Sequence, residues 1–143
     1  EVLRDAATTI LDGIRRGSDI PIRYGGEELM VVTTAPLQNV ITLAERLRHN
    51  QREHLRERDL YAPVAAIGDA RGEPCGTFSV GVAMRLDDEN LDSLIARADR
   101  ALYRSKDQRD SVTIGYVNRA GSEEFESFSE YADRLTRSRK ESE

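Results

Sequence analysis

Apolar residues recur every three or four positions in four stretches, which is the spacing of an amphipathic helix. The predicted helices run from Glu1 to Arg16, from Pro36 past Leu47, from Asp87 to Lys106, and from Gly121-Ser122 to Leu135. From His49 to Asp59 the chain is almost wholly polar, which predicts an exposed helix end and a loop. The predicted apolar faces are Val2, Leu3, Ala6, Ile10, Leu11 and Ile14; Leu37, Val40, Ile41, Ala44 and Leu47; Leu91, Leu94, Ile95, Ala98 and Leu102; and Phe125, Phe128, Ala132 and Leu135.

Between these helices lie shorter runs with strand character. Asp19 to Thr33 predicts a β-hairpin that turns at Gly25-Gly26. Tyr61–Ile67 and Cys75–Met84 predict a second hairpin, and Ser111 to Val117 predicts a single strand. Gly81, inside one of these runs, predicts a bulge or a close backbone approach. Helices therefore alternate with antiparallel strand pairs, which predicts an α/β (α+β) fold with a palm-like layout.

Composition narrows the class of protein. The chain has 143 residues, 38% of them hydrophobic, which suits one domain with a real core. A formal net charge of -5 does not indicate a nucleic-acid binder. The single cysteine, Cys75, excludes an internal disulfide and favours a reducing, cytoplasmic setting. No apolar run is long enough to cross a bilayer.

The first hairpin carries the candidate chemistry. Gly25-Gly26 is followed at once by Glu27 and Glu28 at the start of an apolar run. Glycines let a ligand approach the backbone, and carboxylates supply hard oxygen ligands for Mg²⁺. A solvated turn with incidental acids explains the same residues, and taken alone the pattern favours that simpler interpretation.

Several separated stretches resemble one family. Arg23-Tyr24-Gly25-Gly26-Glu27-Glu28-Leu29 resembles the signature of GGDEF domains, the diguanylate cyclases. Thr77 to Ala83 resembles a later strand motif of that family, and Arg97 to Lys106 resembles its closing helix. The resemblance spans Glu1 to about Val117. It implies a partial GGDEF-type catalytic domain over 1–117, followed by a C-terminal helical tail over 118–143.

The resemblance implies an activity and a set of residues. The family condenses two GTP molecules into cyclic di-GMP with Mg²⁺ or Mn²⁺. Glu27 would be the metal ligand, and Glu27 with Glu28 would be catalytic. Gly25-Gly26, Lys106 and Arg109 would bind the substrate, although Lys106 also suits a helix end as a solvated cation. Asp110 stands where the family has a phosphate-contacting arginine, and Arg109 would substitute for it.

The resemblance also implies a product-inhibition site. Arg16-Gly17-Ser18-Asp19 fits the family's RxxD motif at the family's distance from Gly25, and Arg46 resembles its supplementary arginine. The arginine fork would hold phosphate or a guanine edge, and Asp19 would accept from guanine N–H groups. A helix end with a capping charge pair is the simpler interpretation of the same residues.

Two further expectations come from the family's pattern. The fold would be a palm-like, ferredoxin-like antiparallel sheet that lacks the family's first strand and helix. The sheet edges left open would favour a homodimer.

A non-catalytic module that binds cyclic di-GMP and signals by protein contact is the alternative function. A different palm polymerase is a third, which the RxxD offset disfavours.

The absent strand carries another metal-binding aspartate in the family. We therefore expect this chain alone, incubated with GTP and Mg²⁺, to make no cyclic di-GMP. Chromatography of the reaction mixture checks this, and a cyclic di-GMP peak would contradict it.

Overall fold

The computed structural model describes residues 2–57 and 76–140, and the chain divides into two units, Glu1–Phe78 and Ser79–Glu143. Helices and sheets in the described residues confirm the mixed α/β class. The first unit holds α1 (Val2–Gly13), β1 (Ile20–Gly25), β2 (Glu28–Val32) and α2 (Leu37–Glu57). The second holds β3 (Val80–Ala83), α3 (Leu91–Gln108), β4 (Val112–Val117), β5 (Glu123–Ser127) and α4 (Phe128–Lys140). No helix in the described ranges has the length and apolar character needed to cross a membrane.

Helices α1 and α2 pack together through the centres of their predicted apolar faces. Ala6 and Ile10 are buried on α1, and Ile41 is fully buried on α2. The edges of the α1 face are exposed instead, since Val2 and Leu11 keep 40% and 48% of their surface. The buried face of α1 is therefore narrower than predicted.

The second half of α2 differs from the sequence prediction in its exposure. The polar run after His49 continues the helix to Glu57, as predicted, but Gln51 within it is fully buried. The Thr9 hydroxyl donates to Gln51 Oε1 at 2.8 Å, and Gln51 Nε2 donates to the Gly76 carbonyl at 2.9 Å. Gln51 escapes the desolvation penalty because both ends of its amide are paired.

The second unit is built on a three-stranded sheet of order β3-β4-β5. β3 pairs with β4 in parallel, and β4 pairs with β5 antiparallel. The hairpin predicted between Tyr61–Ile67 and Cys75–Met84 lies largely outside the described residues; the described part contributes β3. Helix α3 packs on β3 and β4, and its most buried residues are Arg97, Ala101 and Ser105. The Ser105 hydroxyl donates to the Val80 carbonyl at 2.8 Å.

The predicted close approach at Gly81 is confirmed. A methyl group there would lie 2.9 Å from Leu102 Cα and nearer still to Ala98 O and Leu102 N. The backbone of α3 therefore rests on β3 where no side chain stands between them.

The predicted start of the last helix, at Gly121-Ser122, is wrong. Glu123–Ser127 forms strand β5 rather than a first helical turn, and α4 begins at Phe128. Asn118 sets the turn, because its Oδ1 accepts from Ala120 N at 2.9 Å and from Ser122 N at 3.0 Å. Gly121 takes φ +80, which glycine adopts without steric cost. This turn chemistry closes a β4–β5 hairpin, so Ser122 does not cap a helix.

Gly81→Ala tests the close approach of α3 to β3. The added methyl meets backbone atoms that cannot move aside, so we expect a loss of about 1–3 kcal/mol in the free energy of unfolding. Urea unfolding followed by circular dichroism measures it. Gly25→Ala is the matched control, since no described atom lies within 4 Å of that methyl. Equal stability of the two variants would contradict the packing described.

Candidate functional site

The hairpin that carries the candidate acids is regular along its length and irregular at its tip. β1 and β2 pair antiparallel from Ile20↔Val32 to Arg23↔Leu29, and the register then shifts so that Gly25 faces Glu28. Arg23 Nε and Nη2 donate to the Gly26 carbonyl at 3.3 and 3.0 Å. The tip is thus held by a side chain from its own strand.

The backbone at Gly25 and Gly26 has open space in the direction in which a Cβ atom would point. No described heavy atom lies within 4 Å of a methyl group placed on Gly25 or Gly26, and Gly26 takes φ +44. Glu27 is exposed in the turn, and Glu28 is half-buried at the start of β2. A ligand can therefore approach both the backbone and the Glu27 carboxylate from solvent.

The donors at the tip fit a hard cation in type. Carboxylate oxygens are the ligands that Mg²⁺ accepts, and it is bound in proteins through one or two carboxylates plus phosphate oxygens and water. Residues 2–57 and 76–140 contain no cluster of three or more His, Cys, Asp or Glu side chains able to enclose a metal ion. The carboxylates of Glu27 and Glu28 thus suit such a cation by donor type alone.

Asp19, at the other end of the hairpin, carries a carboxylate with several hydrogen-bond donors. Its side chain is 1% exposed. Arg15 N donates to Oδ2 at 2.8 Å, Arg15 Nη2 donates to Oδ1 at 3.1 Å, and the Thr33 hydroxyl donates to Oδ1 at 2.7 Å. We call these three residues the Arg15–Asp19–Thr33 clamp. It joins the end of α1 to the residues that flank β1 and β2.

These donors stabilise the charged carboxylate. The backbone N–H of Arg15, then the Thr33 hydroxyl and the Arg15 guanidinium, lower the pKa of Asp19 from 3.8 to about 2. Asp19 is therefore an anion across the physiological pH range.

Of the other two residues of the predicted product site, Arg16 directly follows Arg15 in the chain and Arg46 lies on α2. Arg16 is exposed. Arg46, also exposed, reaches from α2 to donate through Nη2 to the Gly13 carbonyl at 2.8 Å. This bond satisfies a carbonyl at the C-terminus of α1, where helices leave such groups unpaired. The RxxD pair does not form an ion pair with itself, because Asp19 bonds Arg15 instead.

The predicted phosphate-binding cations belong to the second unit. Lys106 is exposed in the last turn of α3, and Arg109 caps that helix with its N–H on the Ser105 carbonyl at 2.7 Å. The hairpin belongs to the first unit. A shared site for Lys106, Arg109 and Glu27 therefore stays a prediction.

Sequence reasoning missed Arg15 and Thr33. Arg15 had a signal, because it precedes Asp19 by one helical turn, a spacing that favours ion pairs. Thr33 had no signal in the spacing of the sequence. The hairpin register, continued one pair beyond Ile20↔Val32, sets Thr33 opposite Asp19.

The chain is similar to known proteins over most of its length. The chain matches the family model described as "Diguanylate cyclase, GGDEF domain" over residues 1–112. It is 36% identical to diguanylate cyclase DgcM of Escherichia coli over 107 residues, 74% of this chain and 22% of that protein. It is 29% identical to diguanylate cyclase A of Treponema denticola over 121 residues, 82% and 30% of the two chains. It is 27% identical to the response regulator PleD of Caulobacter vibrioides over 117 residues, 80% and 24%. The chain thus spans less than a third of the length of these curated relatives.

The lowered pKa of Asp19 predicts a pH dependence. Because its folded pKa lies below the ordinary value, Asp19 contributes stability above pH 3.8 that is lost as pH falls toward about 2. Urea unfolding of the wild type and Asp19→Asn, from pH 6 to pH 2, measures it. We expect the wild type to be more stable at pH 6 and the difference to shrink below pH 4. A difference that is constant across this range would contradict the clamp.

Proposed function

The chain belongs to the GGDEF family of diguanylate cyclase domains, and on that premise we propose that its hairpin serves the condensation of two GTP molecules into cyclic di-GMP. In this reaction a ribose 3′-hydroxyl attacks the α-phosphate of the other nucleotide. The new bond joins that oxygen to the α-phosphorus, the bond from this phosphorus to the oxygen bridging to the β-phosphate breaks, and pyrophosphate leaves with the proton passing to a base. The step occurs twice, once at each α-phosphate, so that two pyrophosphates are released. Catalysis of this kind depends mainly on alignment of the nucleotides and stabilisation of charge.

The tip of the hairpin is assigned the catalytic role. Glu27, exposed in the turn, holds Mg²⁺ or Mn²⁺ through its carboxylate, and Glu28 is its acidic neighbour at the start of β2. When bound, the cation offsets the negative charge that grows on the phosphate oxygens. Gly25 and Gly26 admit the nucleotide to the backbone. The open backbone beside an exposed Glu27 is the observation that supports this proposal most directly.

Lys106 and Arg109 are assigned to the triphosphate. Lysine supplies a compact charge to phosphate without a fixed geometry, and arginine supplies a planar fork. Asp110 beside them is a local negative charge, so we assign the phosphate contact of this segment to Arg109. Two GTP molecules must meet, so we further propose that two copies of the domain face each other during the reaction.

Arg16 and Arg46 are assigned to a second, regulatory site for the product. Both are exposed guanidinium groups in the first unit, and Arg46 is anchored at Gly13, shortly before Arg16 in the chain. Guanidinium groups bind phosphate and guanine edges through paired hydrogen bonds. Cyclic di-GMP offers both of these chemical groups.

Glu27→Gln tests the catalytic assignment. The amide keeps the size of the side chain and removes the charge that holds the cation, so we expect turnover of GTP by the intact protein to fall about 100-fold or more. Glu57→Gln, at an exposed position at the end of α2, is the matched control. Release of pyrophosphate and formation of cyclic di-GMP are the measurements.

Two outcomes would contradict the proposal. Full turnover in Glu27→Gln would remove Glu27 from the metal site. An intact wild-type protein that binds cyclic di-GMP and never turns over GTP would favour the non-catalytic signalling module.

A further inference from the structure

The outer edge of β4 is covered by β5, a strand that lies beyond residue 112, where the family match ends. We propose that β5 is an internal shield: it occupies an edge of β4 that would otherwise pair with β4 of a second copy of this chain. The edge of a sheet presents unpaired N–H and C=O groups to other chains, and proteins cover or charge such edges to prevent association. The shield is independent of the catalytic and product-binding roles proposed above.

β4 has the composition of a strand that associates readily. Its residues, Val112–Val117, carry no charge and include no proline, and the first four of them are buried. A two-fold antiparallel pairing of two such strands, centred on Gly115, would set Ile114 of one copy opposite Tyr116 of the other. Apolar cross-strand pairs stabilise a sheet, and uncharged segments of high β-propensity pair with their own copies. An uncovered β4 would therefore favour a second copy as its partner.

The backbone of β5 alternates between groups that face β4 and groups that face outward, as in any antiparallel pair. Asn118 N donates to the Ser122 carbonyl at 2.9 Å, which marks Ser122 as a residue whose backbone faces β4. By the alternation, the N–H groups of Glu124 and Glu126 also face β4, opposite Tyr116 and Ile114. β5 thus satisfies the edge of β4 and becomes the last strand of the sheet in the described residues. The β5 residues whose backbone faces outward instead are Glu123, Phe125 and Ser127.

The outward edge of β5 is itself protected against further pairing. Ser127 N donates to Glu130 Oε2 at 2.7 Å, so a side chain from the first turn of α4 already occupies the last outward N–H group. An antiparallel pairing of two β5 strands, centred on Phe125, would set Glu124 of one copy opposite Glu126 of the other. Like charges directly opposite each other destabilise a sheet. β5 therefore ends the sheet, whereas an uncovered β4 would extend it.

Glu124→Pro tests the shield. Proline removes the N–H group that faces β4 and disrupts the β4–β5 ladder, so it loosens β5 without changing the sequence of β4. Glu124→Ala is the matched control, because it loses the same carboxylate and keeps the N–H group. Sedimentation velocity of the intact protein at equal concentrations is the measurement. We expect the mass of Glu124→Pro to rise to about twice that of the wild type, and Glu124→Ala to keep the wild-type mass.

A charge on β4 should reverse this association. Tyr116→Lys, added to Glu124→Pro, places a lysine on the uncovered edge, and natural edge strands use charged side chains, lysine especially, to avoid pairing. We expect the double variant to return to the wild-type mass. Hydrogen exchange gives a second readout. The N–H groups of Ile114 and Tyr116 should be protected in the wild type at every concentration, and in Glu124→Pro only where that variant is associated.

Two results would overturn the shield. A folded Glu124→Pro variant with the wild-type mass would show that an uncovered β4 does not pair with a second copy. Equal association of the double variant would show that another surface joins the copies. If circular dichroism shows that Glu124→Pro is unfolded, Asn118→Ala takes its place, because it removes the hydrogen bonds of the β4–β5 turn and leaves both strands unchanged. The same two results then decide, with a partial rise in mass expected for Asn118→Ala.

Discussion

The buried carboxylate of Asp19 is the constraint on which the first unit depends. An anion removed from water is costly unless donors replace its hydration, and here the backbone of Arg15 and the hydroxyl of Thr33 do so. Those donors come from the end of α1 and from the residue after β2. The Asp19 carboxylate therefore fixes the chain where it leaves α1 and joins the two strand ends of the hairpin opposite the turn. Glu27, in the turn itself, stays exposed to solvent. Because the hydrogen bonds of Asp19 hold the strand ends at Asp19 and Thr33, the turn at Gly25-Gly26 keeps its position without packing against other residues.

In the second unit a buried ion pair, Arg97–Glu89, likewise fixes a loop against a helix. Arg97 donates through Nη1 and Nη2 to Glu89 at 2.7 and 2.6 Å, and through Nη2 to the Met84 carbonyl at 2.8 Å. Both side chains are nearly excluded from water, at 4% and 9% exposure. Such a pair adds little net stability over an apolar one, whereas loss of one partner is destabilising because it leaves the other charge unpaired. Arg97 therefore fixes where the loop after β3 meets α3. Asn90 then caps that helix by accepting from Ser93 N.

The sequence predicted the order of elements in most of the described chain because hydrophobic period and turn chemistry are local. It predicted the hairpin at Gly25-Gly26 and the close approach at Gly81 for the same reason. It failed at Glu123, where two acids after Gly-Ser resemble a helix start although Asn118 closes a turn with both of its backbone groups and its side chain. It also failed at Gln51, because the Gly76 carbonyl that makes burial of the amide tolerable lies far along the chain. Positions of candidate residues followed from motif spacing, whereas their roles depended on contacts such as Thr33–Asp19 that spacing does not encode.

The segment beyond the family match is part of the same sheet. The match ends at residue 112, where β4 begins, yet β4 is the strand that joins β3 to β5. Arginines then fasten β5 to the helices: Arg100 pairs with Glu123 at 2.6 Å, Arg104 lies 4.4 Å from the Phe125 ring centre, and Arg134 pairs with Glu126. The Arg100–Glu123 pair is largely exposed and adds little stability, whereas Glu126, the partner of Arg134, is buried. The β4–β5 ladder and the burial of β4 therefore hold the segment, and the arginines set its orientation. Since α3 lies on β3 and β4, and Lys106 and Arg109 lie at the end of α3, this strand ladder also supports the helix end to which the phosphate contacts are assigned.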